Sequence, residues 1–269
     1  MIRTGGIALC IAGAFGLLAA CEEGPPSSLA EFEEPLTLQD SEKKLDISIC
    51  SGSNFPDPLT STNPYFPIAP VGSQWTLEGE EDDATIEMVM TILERTRTID
   101  GVETRVIEER ESEDGEVVEI SWNYFAETAD GTVCYLGEDV DDVEEGEVVG
   151  HEGRWCAQDT PPVTPDVNKP GIFMPADPHP GMTFQQEVAP AIAEDFAKIV
   201  GSGPVTVPSF DTFTETIRFR EFNADEGKGD YKVFGKDFGI IIDGPLVLTG
   251  FTVGDGEPET EISEQVCGS

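Results

Sequence analysis

Positive charge is scarce in this chain of 269 residues: 15 Lys and Arg stand against 54 Asp and Glu, and the formal net charge is −39. A surface of that sign repels nucleic-acid phosphates and anionic membrane headgroups, so we expect no nucleic-acid partner. Such acidity keeps a protein soluble, and it suits saline surroundings, where salt screens the repulsion between carboxylates.

Recognisable catalytic signatures are also lacking. The sequence contains no Gly-x-Ser-x-Gly, His-Glu-x-x-His, P-loop or Gly-x-Gly-x-x-Gly motif. Its only histidines, His151 and His179, lie among Gly, Pro and acidic residues without a nucleophile motif nearby. Carboxylate pairs such as Glu194-Asp195 carry no information in a chain with 54 acids. We therefore expect that the protein is not an enzyme.

Long apolar runs are missing except near the amino end. Arg3 precedes an apolar stretch over residues 7–20, and the next charge is Glu22. A signal-peptide core has about 10–14 apolar residues, whereas a membrane-spanning helix needs roughly 20. The stretch therefore indicates a signal peptide; the alternative is an uncleaved anchor helix.

The stretch ends in Leu18-Ala19-Ala20-Cys21, which resembles the lipobox of bacterial lipoproteins. In that family the cysteine thiol receives a diacylglycerol group and the chain is cut just before it. The resemblance implies a signal peptide over 1–20 and an exported protein whose partner is a membrane, through lipidated Cys21. The following Glu22 and Glu23 favour the outer membrane or cell surface over the inner membrane.

Six cysteines are present, of which Cys10 lies in the signal peptide and Cys21 in the lipobox. The remaining four are Cys50, Cys134, Cys156 and Cys267. An even number in an exported protein predicts two disulfides. Three pairings are open; we predict Cys134–Cys156, in adjacent β segments, and Cys50–Cys267, which would tie the two ends together.

Residues 21–60, acidic and rich in Pro and Ser, are expected to form a tether and docking segment, followed by a β-rich domain over 61–269. That domain opens with Asn63-Pro64-Tyr65-Phe66-Pro67, followed by Trp75. This stretch resembles an uncharacterised family of secreted bacterial proteins and lipoproteins, and the similarity continues through 122–126, 135–138, 170–175 and 193–195. The resemblance implies export and a fold, but no activity.

Alternating polar and apolar residues predict an antiparallel β-meander. The best example is 117–125, and Thr-rich 85–99 also favours a strand. Three Asp-Gly pairs, at 100–101, 114–115 and 130–131, suit two-residue hairpin turns. Residues 157–181 are expected to be loop. Further strands are predicted over 205–207, 212–222, 231–234, 238–242 and 246–253.

One helix is predicted over residues 190–200, with Pro190 at its start and Gly201 at its end. Ile192, Phe196 and Ile199 would form its apolar stripe. The predicted fold is therefore mainly β with one helix (α+β): an antiparallel β-meander forming a curved sheet or half-barrel around a single amphipathic helix.

Two ligand hypotheses follow. Calcium prefers carboxylate oxygens, which an acidic run offers at Asp139, Asp141, Asp142 and Glu144, although the spacing is not that of an EF-hand. The alternative is a solvated acidic turn. A carrier of lipid or another hydrophobic ligand would use the apolar side chains Met88, Met90, Trp122, Tyr124 and Phe196 to line a cavity; the alternative is that they fill the core. The leading expectation is a non-enzymatic lipoprotein with a structural or binding role.

Overall fold

The structure is a computed structural model that describes residues 43–57, 59–158, 167–208, 210–223, 229–254 and 267. The predicted signal peptide and lipidated Cys21 lie outside these residues. In chain order the strands are β1 Lys43–Lys44, β2 Gln74–Glu81, β3 Ala84–Ile99, β4 Val102–Glu113, β5 Glu116–Glu127, β6 Val133–Glu144, β7 Glu147–Gly150, β8 Trp155–Cys156, β9 Gly171–Met174, β10 Met182–Gln185, β11 Asp195–Ser202, β12 Val205–Thr206, β13 Thr212–Phe213, β14 Thr216–Asn223, β15 Tyr231–Gly235, β16 Gly239–Asp243 and β17 Leu246–Thr252.

One sheet of 15 strands contains all of these except β12 and β13, which pair with each other. Its order is β1-β10-β11-β14-β15-β16-β17-β2-β3-β4-β5-β6-β7, and β8 and β9 also pair with β6. The pairing is antiparallel apart from β1 with β10. The sheet is not closed. The prediction of a mainly antiparallel β fold is therefore confirmed.

Tight turns join the long central strands. Asp100-Gly101 joins β3 to β4 and Asp114-Gly115 joins β4 to β5, and all four residues have the positive φ angles that such hairpins need. These two predicted turns are confirmed. Asp130-Gly131 instead belongs to a longer connection, because the flanking pair is Glu127 with Val133. Two further hairpins use positive φ at Asp82-Asp83 and Glu145-Gly146.

The predicted helix over 190–200 is wrong. Ala191 has a φ of 65° in a turn, and the chain then enters β11, which pairs with β10 on one side and β14 on the other. Ile199 and Phe196 favour strands, and two paired neighbours outweigh a short apolar stripe of helical spacing. Among the described residues the helical elements are two 3₁₀ turns, Ile47–Cys50 and Gly52–Asn54. No helix in these ranges is long and apolar enough to span a bilayer.

The predicted disulfide pairing is also wrong. The bonds are Cys50–Cys134 and Cys156–Cys267, with Cα–Cα distances of 5.8 and 5.5 Å. Cys156 pairs in register with Gly137 of β6, three positions beyond Cys134. Three strand residues span about 10 Å, which exceeds the 4.4–6.8 Å that a disulfide bridges.

β9 lies within residues 157–181, where the sequence predicted a loop. β1 lies in the predicted docking segment and pairs with β10. The Cys50–Cys134 bond fastens the same segment to β6. Residues 43–50 are therefore part of the folded domain.

Candidate functional site

Strands from two parts of the large sheet border a cavity of about 230 Å³. One wall comes from β3, β4, β5 and β6, and the other from β9, the chain around β10 and β11, and strands β14 to β16. Lys169 and Val188 form a bridge that brings β9 beside β10. Gly171 permits this approach, because a Cβ there would lie 1.9 Å from the carbonyl oxygen of Gln186.

The cavity is lined mainly by acids. Seven carboxyl groups face it, and we call them the cavity carboxylates: Glu109, Glu119, Glu138, Glu187, Asp195, Glu221 and Asp243. All seven residues are half-buried. Alternation along each strand places them there: Glu109 pairs with Ser121, which also lines the cavity, so neighbouring Glu108 and Trp122 point to the other face.

Among the residues that the structure describes, Lys232 of β15 is the only lysine or arginine in the cavity lining. Its Nζ lies 3.4 Å from the Glu221 carboxylate and 3.2 Å from that of Asp243. Burial by itself would lower the pKa of Lys232, but the adjacent carboxylates, Asp243 first, raise it well above its usual value. The lysine therefore stays charged, and its charge is paired with Glu221 and Asp243 at one end of the cavity.

The carboxylates away from Lys232 ionise with difficulty. Burial raises the pKa of Glu109 to about 8, and Lys232 offsets this only in part. Burial also raises the pKa of Glu138 to about 8, against a hydrogen bond with the Tyr135 hydroxyl (2.9 Å) that lowers it. Glu111, which follows on the same face of β4, has its pKa raised to about 7 by burial and then by Glu119. Some of these three carboxyl groups are therefore protonated at neutral pH.

Glu187 and Asp195 form a carboxyl pair on the opposite wall. The pKa of Glu187 is raised well above its usual value by burial first, then by Glu138 and by a side-chain hydrogen bond to Asp195. Such a bond needs one proton shared between two carboxyl groups, because two ionised carboxylates repel each other. Glu187 therefore favours its protonated form at neutral pH.

One end of the cavity is aromatic. Phe66, Phe125, Tyr135 and Phe173 line it, with Phe66–Phe173 and Phe125–Tyr135 ring centroids 4.4 and 4.8 Å apart. Phe66 belongs to the sequence Asn63-Pro64-Tyr65-Phe66-Pro67. Contacts this close are usual for packed aromatic rings, whose negative faces also attract cations.

Asn63 and Glu127 hold Phe66 in place. The Asn63 side chain donates to the carbonyls of Gly131 (2.9 Å) and Pro175 (3.0 Å), and its oxygen accepts from the Phe66 amide (3.1 Å). The Glu127 carboxylate accepts from the backbone N–H of Asn63 (2.8 Å). The motif over residues 63–67 thus has a structural role, because its hydrogen bonds position the aromatic end of the cavity.

The four residues predicted for calcium do not converge. Asp139 and Asp141 lie on the outer face of β6, Asp142 on the opposite face, and Glu144 is exposed beside the hairpin turn. The Asp139 carboxylate accepts from the Tyr124 hydroxyl (2.5 Å), and Asp141 lies 3.0 Å from His151 Nδ1. The residues that the structure describes contain no group of three or more His, Cys, Asp or Glu arranged to hold a metal. Calcium binding stays a prediction.

Of the five residues predicted to contact a hydrophobic ligand, only Met90 lines the cavity. Met88 is buried two residues away on the same face of β3. Trp122 and Tyr124 are fully buried on the outer face, where Trp122 Nε1 donates to Glu108 (3.2 Å). Phe196 packs on Phe222 (5.8 Å), also on the outer face. These side chains belong mainly to the core.

A second cavity, of about 460 Å³, lies between the segment around 45–54 and the loops around residues 130 and 176. Its lining includes Asp46, Asp130, Asp177 and His179. The His179 ring lies 3.0 Å from the carbonyl oxygen of Asp177. The two histidines thus stand apart, one here and one on the outer face of β6, and neither lines the acidic cavity.

No protein-family model, curated protein or solved structure matches this chain.

Proposed function

We propose that the protein is an exported binding protein, anchored to the bacterial envelope by lipid on Cys21, that holds a small polar ligand in its acidic cavity. The observation that carries the binding role is the cavity itself. Groups from both halves of one sheet converge on about 230 Å³ of space. Buried charge is costly unless something compensates it, so such a lining indicates a site and not a filled core.

Export and anchoring are supported by the cysteines. Two disulfides are typical of an oxidising compartment. Cys21 follows Leu18-Ala19-Ala20, and residues 21–42 give enough chain to separate the domain from a membrane. Lipid on Cys21 would attach the domain, since two acyl chains anchor a protein stably.

Binding is a simpler use of this cavity than catalysis. Its lining combines carboxyl groups, aromatic rings and a lysine that is already paired, while both histidines lie elsewhere. Carriage of lipid or another hydrophobic ligand is less well supported, because an acyl chain would gain little beside seven carboxyl groups.

Anchoring is tested by replacing Cys21 with serine in the full chain. Palmitate labelling and recovery in the membrane fraction should both be lost, whereas Cys10→Ser, in the predicted signal peptide, should preserve both. Persistent labelling of Cys21→Ser would contradict the proposed anchor.

Binding is tested by denaturing protein purified from envelopes and analysing the released small molecules by mass spectrometry. A polar compound released in stoichiometric amount is expected. Acyl lipid other than the covalent anchor would instead favour the hydrophobic carrier.

A further inference from the structure

The cavity lining contains more carboxyl groups than positively charged side chains. Lys232 lies against Glu221 and Asp243, which leaves five of the cavity carboxylates without a cation within ion-pair distance among the described residues. Among the described residues, the carboxyl groups of Glu109 and Glu119 make neither a hydrogen bond nor an ion pair. Groups of this kind are stabilised by an outside cation or by protons.

A second observation indicates a ligand with hydrogen-bond acceptors. Gln186 is 3 % exposed and lines the cavity, and its Nε2 makes no hydrogen bond of normal geometry. Burial raises the pKa of Glu221, and a side-chain hydrogen bond from Gln186, too long or bent to count as normal, lowers it. An amide NH2 carries two donors, and a buried donor without a good acceptor is destabilising, so the place of Gln186 in a cavity wall indicates an acceptor supplied from outside.

Size and shape favour an organic cation over a metal ion. A volume of about 230 Å³ equals roughly eight water molecules at about 30 Å³ each, which suits a ligand of about ten non-hydrogen atoms. The described carboxylates form no group arranged to ligate a metal. The aromatic end at Phe66, Phe125 and Phe173 offers ring faces, which attract ammonium groups.

We propose that the cavity binds a small organic ammonium compound that also carries hydroxyl groups, of the amino-sugar class. Its ammonium group lies among Glu109, Glu119 and Glu138, beside the aromatic rings. Its hydroxyl oxygens accept from Gln186. This inference rests on the proposed binding function and specifies its ligand.

Binding of such a cation is coupled to proton release. The groups that face the ligand are the seven cavity carboxylates, Lys232 and the Tyr135 hydroxyl. Burial raises the pKa values of Glu109 and Glu138 to about 8, and it raises the pKa of Glu187 well above its usual value. A bound ammonium group favours their ionised forms, so protons leave on binding, and affinity rises with pH until the amine of the ligand loses its own proton.

The test is calorimetry on the full chain in detergent, with glucosamine as the probe and glucose as a neutral control of the same shape. Glucosamine should bind at least about tenfold more tightly than glucose. In two buffers of different ionisation enthalpy, the heats should show net proton release. Glu109→Gln should weaken glucosamine binding at least about tenfold, and Glu87→Gln, which removes the same charge from an exposed site on β3, should change it less than twofold.

Equal binding of glucose and glucosamine would overturn the cationic ligand but keep a binding cavity. Heat from CaCl₂ that disappears in Glu109→Gln would overturn it in favour of a metal ion. No heat with either sugar or with calcium, together with release of no small molecule from envelope-purified protein, would overturn the proposed binding function as well. Circular dichroism of each variant separates lost binding from lost folding.

Discussion

Buried acids on the two faces of strands β4, β5 and β6 differ in the hydrogen bonds that they receive. On the outer face, Glu108 accepts from Trp122 Nε1, and Asp139 accepts from the Tyr124 hydroxyl and from the Cys267 amide (3.2 Å). On the inner face, Glu109 and Glu119 have no such partner among the described residues. Successive residues of one strand, Glu108 and Glu109, therefore have contrasting surroundings.

The contrast separates structural acids from candidate functional ones. A buried carboxylate that receives hydrogen bonds holds neighbouring elements together, and its loss leaves donors unsatisfied. A buried carboxyl group without donors costs folding energy, and a protein gains from it only when something binds there. The outer acids Glu108 and Asp139 are thus expected to stabilise the fold, and the inner acids Glu109 and Glu119 to destabilise it.

The largest expected effect comes from removing the disulfide Cys156–Cys267. Changing both Cys156 and Cys267 to alanine removes a bond that spans 111 residues, and the loop-entropy relation gives a loss of about 4–5 kcal/mol in the free energy of unfolding. Urea unfolding measures it. Glucosamine binding should survive wherever the variant is folded, because the bond lies outside the cavity. Loss of binding in the folded variant would show that the two faces are not independent.

Glu109→Gln should stabilise the protein by about 2–4 kcal/mol at pH 8. The folded pKa is about 8 and the usual value 4.5, so the folded state holds the proton more tightly and wild-type stability falls as pH rises from about 4.5 to 8. The variant carries no such group, and its melting temperature should fall less over that range.

Glu87→Gln serves as the control for this experiment, since it removes the same charge from an exposed position. An equal gain in both variants would assign the effect to surface repulsion instead of the cavity.

Asp139→Asn should have the opposite sign. The replacement keeps the size but removes an acceptor from a carboxylate that is 1 % exposed, so a loss of about 1–3 kcal/mol is expected in chemical denaturation at pH 7. Tyr124→Phe in the same background should cost less than it does alone, because the Tyr124 hydroxyl donates to the group that the first change alters. Additive losses would mean that the two side chains act separately.

Much of the strand pattern was predictable, because it depends on local signals. Val118, Ile120, Trp122 and Tyr124 alternate with polar residues, and Asp114-Gly115 supplies the turn that precedes them. The helix prediction failed because the spacing of Phe196 and Ile199 suits a helix, whereas in β11 the two side chains lie on opposite faces and are both buried.

The cavity was not predictable in the same way. Glu108, Glu109 and Glu111 occur in an acidic stretch that indicates an exposed strand, and β4 becomes interior only when β14 to β16 fold opposite it. Nothing local distinguishes Glu109 from Glu108. The disulfide pairing depends on the register of β8 against β6, which the spacing of cysteines does not contain.

Salt should have the smallest effect on stability. It should also distinguish the contribution of surface charges from that of the cavity carboxylates. A net charge of −39 repels itself, and moving from low salt to sea-water NaCl screens exposed charges but not buried ones. The melting temperature should rise by a few degrees, corresponding to about 1 kcal/mol. The stability difference between Glu109→Gln and wild type at pH 8 should persist in high salt, since the interaction that it removes lies inside the protein. If salt abolished that difference, Glu109 would behave as a surface acid, and the contrast between the two faces would fail.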